Sequence, residues 1–74
     1  MRAREFRQAV DAEFGERGRV LVADLVLGEL GGLTAEQALD AGVDVERVWL
    51  ALCRAADVPV GRRHGAGLRD PRDA

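Results

Sequence analysis

Apolar residues recur at helical spacing along the first fifteen positions of the chain. Ala3, Phe6, Val10 and Phe14 fall on one face of a helix with 3.6 residues per turn. Gly15 follows directly and can take the positive φ that closes many helices. The pattern predicts a first helix over residues 3–14, followed by a turn.

The next apolar run, RVLVADLVLGEL at residues 19–30, has no clear period. Its length suits either a buried strand or a buried helix. We favour a helix, because no second strand can be recognised and a lone strand would leave its backbone N–H and C=O groups unpaired. This second helix would be apolar on nearly every side and therefore central to the fold. Gly31 and Gly32 would end it.

A short third helix begins after Thr34. Gln37 stands three residues later, so the two side chains form a capping box in which each bonds the other residue's backbone N–H. The helix is predicted to continue to about Ala41, before the turn at Gly42.

A fourth helix is predicted to begin after Asp44, its N-cap. Val43 and Val48 occupy the two positions of a hydrophobic staple around that cap. The inward stripe is formed by Val45, Val48, Trp49, Leu52 and Ala56. Pro59 disfavours helical geometry in the residue before it, so we expect this helix to end at Asp57 or Val58.

These elements predict an all-α protein: a compact bundle of four helices, the third short, with a helix-turn-helix-like C-terminal half. Residues 1–60 form the single domain. Residues 61–74, GRRHGAGLRDPRDA, are predicted to be a flexible, disordered tail, because they are too polar and glycine-rich to join a core.

Charge is unevenly distributed between these two parts. Residues 1–60 hold seven arginines and eleven acidic residues, a net charge of −4, whereas the tail holds four arginines and two aspartates, a net charge of +2. Nonspecific affinity for nucleic acid comes largely from basic side chains that neutralise phosphates. An acidic domain therefore disfavours nucleic acid as the partner.

The remaining composition indicates a cytoplasmic protein without a cofactor. The first residues carry charges throughout and no apolar signal region, and the longest apolar run is about half of the ~20 residues of a membrane span. Cys53 is the only cysteine and His64 the only histidine, which excludes an intrachain disulfide and leaves too few ligands for a zinc site. We expect neither a metal nor a membrane contact.

The spacing of the third and fourth helices matches a DNA-binding helix-turn-helix. The outward face of the fourth helix, however, consists of Glu46, Arg47, Leu50, Arg54 and Asp57. Its charges cancel, and it lacks a side-chain amide or hydroxyl to contact a base edge. Packing of two helices around a turn explains the same spacing.

Leu50 is expected to be exposed on this face, between Arg47 and Arg54. An apolar centre surrounded by arginines is typical of a protein-binding patch. Single exposed leucines are also common on protein surfaces. Both interpretations remain open, and we take Arg47, Leu50 and Arg54 as the candidate partner-binding face.

Asp24 lies in the most apolar segment, where an unpaired carboxylate would be costly. We expect it to pair with an arginine such as Arg47, or to accept a hydrogen bond from the Trp49 indole. Trp49 is interpreted as a core anchor and Cys53 as a small buried apolar residue. No nucleophile and base can be paired from the sequence, so an enzyme is not expected and no catalytic residue is assigned.

A set of short motifs runs through the chain: EF at Glu5, FG at Phe14, LGG before Leu33, VW at Val48 and VP at Val58, together with Asp24, Val26, Leu27, Thr34, Ala38, Leu39, Gly42 and Cys53. In this order and spacing, the motifs resemble the DUF3046 family of small actinobacterial proteins of unknown function. The resemblance covers about residues 1–60. Arg7, Leu25 and Leu33 stand where the family often has an aromatic residue, a histidine and an arginine.

The resemblance implies no catalytic residue. It implies at most a link to DNA repair or its control, because genes of the family commonly lie near those of the RecA recombinase and its regulator. We therefore expect a non-enzymatic interaction or regulatory module that binds a protein partner or itself, through the outward face of the fourth helix or an apolar side of the second helix that a small bundle cannot cover. The alternative is a helix-turn-helix-like nucleic-acid-binding protein that uses its terminal arginines: Arg2, Arg4, Arg7, Arg62, Arg63, Arg69 and Arg72.

Structural roles are assigned to Asp24, Gly31, Gly32, Thr34, Gly42, Trp49 and Pro59.

Overall fold

The computed structural model describes residues 1–62 of the 74-residue chain. Its helices are α1 (Ala3–Phe14), α2 (Arg17–Asp24), α3 (Ala35–Asp40) and α4 (Val45–Ala55). Two short strands, β1 (Val26–Leu27) and β2 (Leu33–Thr34), and two 3-10 helices, Gly28–Leu30 and Val60–Arg62, complete it. The predicted bundle of four helices with a short third is confirmed. Most of the predicted tail, with Arg63, His64, Arg69 and Arg72, lies outside the described residues.

Helix α1 has the predicted bounds. Phe6, Ala9 and Val10 are buried on its inner face. Gly15 takes a φ of 64° after the last turn, and its N–H donates to the Asp11 carbonyl. The predicted end of the helix is confirmed. Glycine suits this position, because a positive φ favours a residue without a side chain.

The prediction of one helix over residues 19–30 is wrong. Helix α2 ends at Asp24, and β1 pairs antiparallel with β2, with Val26 opposite Thr34 and Leu27 opposite Leu33. A partner strand therefore exists, although two residues are too short to show an alternating pattern. Gly31, with a φ of 72°, closes the 3-10 helix Gly28–Leu30 between these strands, and Gly32, with a φ of 87°, follows it; neither ends the predicted second helix.

Helix α2 is not the centre of the fold either. Gly18 is its only buried residue, and Val20 is 59% exposed. With eight residues, α2 packs on α1 and α3 and leaves its remaining surface to solvent. The central element is α4, which buries Val48, Trp49, Ala51, Leu52 and Cys53.

Helix α3 has the predicted capping box. The Gln37 N–H donates to Thr34 Oγ1 at 3.1 Å, and the Thr34 N–H donates to Gln37 Oε1 at 3.0 Å. The helix closes in a Schellman motif, in which the Val43 N–H reaches the Ala38 carbonyl while Gly42 has a φ of 89°. The backbone thus turns sharply between α3 and α4.

Helix α4 begins as predicted but ends earlier. The Asp44 carboxylate accepts the Arg47 N–H at 3.2 Å. The last helical residue is Ala55, and a second Schellman motif follows in which the Val58 N–H donates to the Cys53 carbonyl. Asp57 takes a φ of 61° within it. This local motif, rather than Pro59, ends the helix before Asp57 and Val58.

Candidate functional site

We keep the name α4 face for the predicted set Glu46, Arg47, Leu50, Arg54 and Asp57. Asp57 lies beyond Ala55, the last residue of α4, in the turn that follows. Glu46, Arg47, Arg54 and Asp57 are exposed. Leu50, predicted to be the exposed apolar centre, is partly buried and packs against the core. The prediction of an exposed Leu50 is therefore wrong. Helix α4 contacts α1, α3, β1 and the first 3-10 helix, so more of its surface is covered than its sequence stripe indicates.

One of the two arginines on the α4 face is already paired. Arg54 Nε donates to Glu29 Oε2 at 2.7 Å, which joins α4 to the first 3-10 helix. This hydrogen bond raises the pKa of the Arg54 guanidinium. A partner at this face would therefore compete with Glu29 for Arg54.

Trp49 is the core anchor that the sequence predicted. Its indole is 1% exposed, and its ring centroid lies 6.2 Å from that of Phe6 and 6.4 Å from that of Phe14, both in edge-to-face geometry. Such pairs contribute beyond the area that they bury. Trp49 thereby fixes α1 across α4. Cys53 is buried in the same core, as predicted.

Asp24 is exposed at the end of α2, so the expectation of a carboxylate buried among apolar residues is wrong. The cause is the early end of α2, which places residue 24 beside the solvent. Pro59, assigned a structural role, is also exposed and follows the buried Val58. Thr34 is buried at 7% exposure, where its cap bonds satisfy both its hydroxyl oxygen and its N–H.

The larger surface feature is a cleft between α1, α2 and α3, here called the three-helix cleft. It has a volume of about 550 Å³. Apolar residues from all three helices contribute to its lining: Phe6, Val10, Val22 and Leu39, with the backbone of Gly18. Its charged residues are Arg7, Asp11, Arg19, Glu36 and Asp40.

Gly18 explains how the base of this cleft is built. A Cβ at residue 18 would collide with Val10 Cγ1. Only glycine lets α2 approach α1 this closely, since the two helices meet without an intervening side chain. The close approach sets α1 against α2 at the base, and Val10 and Val22 both line the cleft there.

The charged residues of the cleft are exposed, and none of them belongs to an ion pair within residues 1–62. Glu36 and Asp40 stand one helical turn apart on α3. The sequence holds a signal for this acidic wall, because residues 20–46 contain six acidic residues and no basic one. Sequence reasoning missed the cleft, since three separate helices build it.

A smaller cleft of about 350 Å³ lies between the α1–α2 turn and the end of α4. The Glu13 carboxylate, 8% exposed, accepts from Arg62 Nη2 at 2.8 Å at its edge. Gly61 and Arg62, which the prediction assigned to the tail, thus stand in a 3-10 helix held against α1. This ion pair fastens the last described turn to the domain.

Within residues 1–62, no group of three or more His, Cys, Asp or Glu side chains is arranged to hold a metal ion. No helix of this described part is both long and apolar enough to cross a membrane.

The described residues define a small α-helical domain with an aromatic core and clefts on its surface. The chain matches a family model described as "Protein of unknown function (DUF3046)" over residues 1–61. It therefore belongs to this family, as the resemblance indicated. Comparison with curated proteins and with solved structures finds no match.

Proposed function

We propose that this protein is a non-enzymatic interaction module that binds a protein partner through the three-helix cleft. The observation that supports the proposal is the combination of an apolar lining with five exposed charges that have no ion pair within residues 1–62. Apolar area supplies the free energy of association, and charges around it select the partner. The α4 face offers less, because Leu50 is its one apolar residue and Arg54 is already paired with Glu29.

The same residues support a binding role over a catalytic one. The ionisable side chains of the cleft are exposed, so water surrounds their charged ends. General acid–base and electrostatic catalysis depend on groups positioned in a site that excludes water. Cys53, the one cysteine, is buried in the core away from the cleft lining.

Affinity capture from a cytoplasmic extract of the source cells tests this proposal, with Glu36→Arg and Glu46→Arg as a matched pair. Both residues are exposed and occupy the second position of their helices, so the charge change and the lost helix-dipole interaction are alike. Only Glu36 lines the cleft.

We expect the unmodified protein and Glu46→Arg to retain the same protein after nuclease treatment, and Glu36→Arg to lose it. Circular dichroism melts of both variants control for folding. Equal capture by all three proteins, or capture that nuclease abolishes, would contradict docking at this cleft.

The alternative is a helix-turn-helix module that binds nucleic acid and is linked to DNA repair or its control. One observation favours it: α3 packs on α4 across a turn at Gly42, the order of elements in such modules. It predicts retardation of duplex DNA at low salt that weakens steeply as salt is added. No retardation at low salt would remove it.

A further inference from the structure

We infer that the occupant of the three-helix cleft is an amphipathic protein helix whose apolar stripe is flanked by lysine or arginine on the side that faces α3. The inference rests on the proposed function and names the partner's chemistry. Two features of the cleft carry it: the kind of element that builds its walls, and the distribution of charge across them.

Helices alone build the walls of the cleft. All ten lining residues belong to α1, α2 or α3. The backbone N–H and C=O groups inside a helix are already paired, so the cleft offers no strand edge to which an extended peptide could add. Side chains must make the contacts, and an apolar helix face laid between helices is the recognition mode that works in this way.

The apolar lining of the cleft requires apolar side chains along one face of the partner helix. Val22 on α2 and Leu39 on α3 are the partly exposed apolar residues of the lining. Phe6 and Val10 are buried beneath them, where Gly18 brings α2 against α1. The cleft volume of about 550 Å³ is within the range of pockets that hold several apolar groups. Apolar side chains spaced on one helix face can enter such a cleft together.

The charged residues of the cleft determine which side chains the partner can carry beside its apolar stripe. On α3, Glu36 and Asp40 are four residues apart on one face, exposed, and without an ion pair within residues 1–62. No basic residue in positions 20–46 stands ready to neutralise them. Two basic side chains at the same spacing on a docked helix would face both carboxylates, whereas acidic side chains there would be repelled. Arg7 and Arg19 line the cleft from α1 and α2.

The probes that test this inference are two synthetic peptides of about 14 residues, roughly four helical turns. Both carry leucine at helical spacing with alanine and glutamine elsewhere, and they differ only in whether arginine or glutamate flanks the leucine stripe. A third peptide with the composition of the arginine peptide in scrambled order controls for nonspecific adsorption. Binding is followed by NMR chemical shifts of the full-length protein and its variants.

We expect the arginine peptide to shift Val10, Val22 and Leu39 and to bind about three- to tenfold more tightly than the glutamate peptide, as two exposed ion pairs allow. Glu36→Arg should abolish or reverse this preference, and Glu46→Arg should keep it. Equal affinity for the two peptides, shifts confined to the α4 face, or an unchanged preference in Glu36→Arg would overturn the inference.

Failure of the inference and failure of the proposed function give different results. If capture from the extract depends on Glu36 but the arginine peptide does not bind, the partner is not a basic amphipathic helix while docking at the cleft stands. If capture does not depend on Glu36, docking at the cleft fails, and the inferred partner fails with it.

Discussion

The three-helix cleft and the α4 face show how differently two surfaces of one small domain can be built. The α4 face lies on α4 and the turn that follows it, its charges cancel, and Arg54 is held by Glu29 at 2.7 Å. The cleft combines residues from three helices, and its charges have no ion pair within residues 1–62. A surface that satisfies its own charges has less to gain from a partner, because binding must first break what is already formed.

Both surfaces depend on Trp49, and its truncation should have the largest effect. Trp49→Ala removes an indole that is 1% exposed and contacts Phe6 and Phe14 edge to face. We expect a loss of about 3–5 kcal/mol in the free energy of unfolding, most of the stability of a domain this small. Urea unfolding followed by circular dichroism measures it. A variant that kept a native transition would show that α1 is held to α4 by other contacts.

Gly18→Ala should perturb the three-helix cleft and leave the α4 face largely unchanged. Its added methyl group meets Val10 at the base of the cleft. We expect destabilisation of about 1–3 kcal/mol from overpacking, with NMR shift changes on α1 and α2 and few on α4. Gly28→Ala is the matched control, since a Cβ there has no neighbour within 4 Å and its φ is not positive. Comparable losses in both variants would contradict the close contact of α1 and α2.

Removing each of the two N-caps compares α3, which forms one wall of the three-helix cleft, with α4, which carries the α4 face. Thr34→Ala and Asp44→Ala should each cost about 1 kcal/mol, as caps usually do. The Thr34 change should cost more, because Thr34 is buried and its capping box is reciprocal, whereas Asp44 is exposed. Trp49 fluorescence during urea unfolding reports both. A larger loss for Asp44→Ala would reverse this ranking.

Asp57→Gly should give the smallest effect, and it should stabilise. Asp57 takes a φ of 61° at the left-handed position of the motif that ends α4. Glycine adopts this conformation without steric cost. We therefore expect a gain of about 0.5–1 kcal/mol in the free energy of unfolding and an unchanged three-helix cleft. Thermal unfolding measures the gain. A lower melting temperature would mean that the Asp57 side chain contributes more than its backbone conformation costs.

Elements specified by neighbouring residues could be predicted from the sequence. The bounds of α1, the capping box of Thr34 and the cap of Asp44 depend on residues no more than four positions apart. Trp49, from the stripe of α4, and Cys53, as a small apolar residue beside it, were likewise placed in the core correctly. In each case a short-range pattern carries the information.

The errors fall where distant residues decide. The end of α2 at Asp24 depends on pairing of Val26–Leu27 with Leu33–Thr34 across a loop. The partial burial of Leu50 depends on what packs around α4. The cleft requires Val10, Val22 and Leu39 to meet although they are far apart along the chain.

By itself, the sequence determined the number of helices, the bounds of α1, the N-caps of α3 and α4, the aromatic anchor and the family, because capping, glycine turns and the helical period act over a few residues. Tertiary structure alone decided which surface is available to a partner. Availability depends on how helices approach one another and which charges find an internal partner, as Arg54 does at Glu29 and Glu36 does not. Those are properties of packing in three dimensions, which no local pattern along the chain encodes.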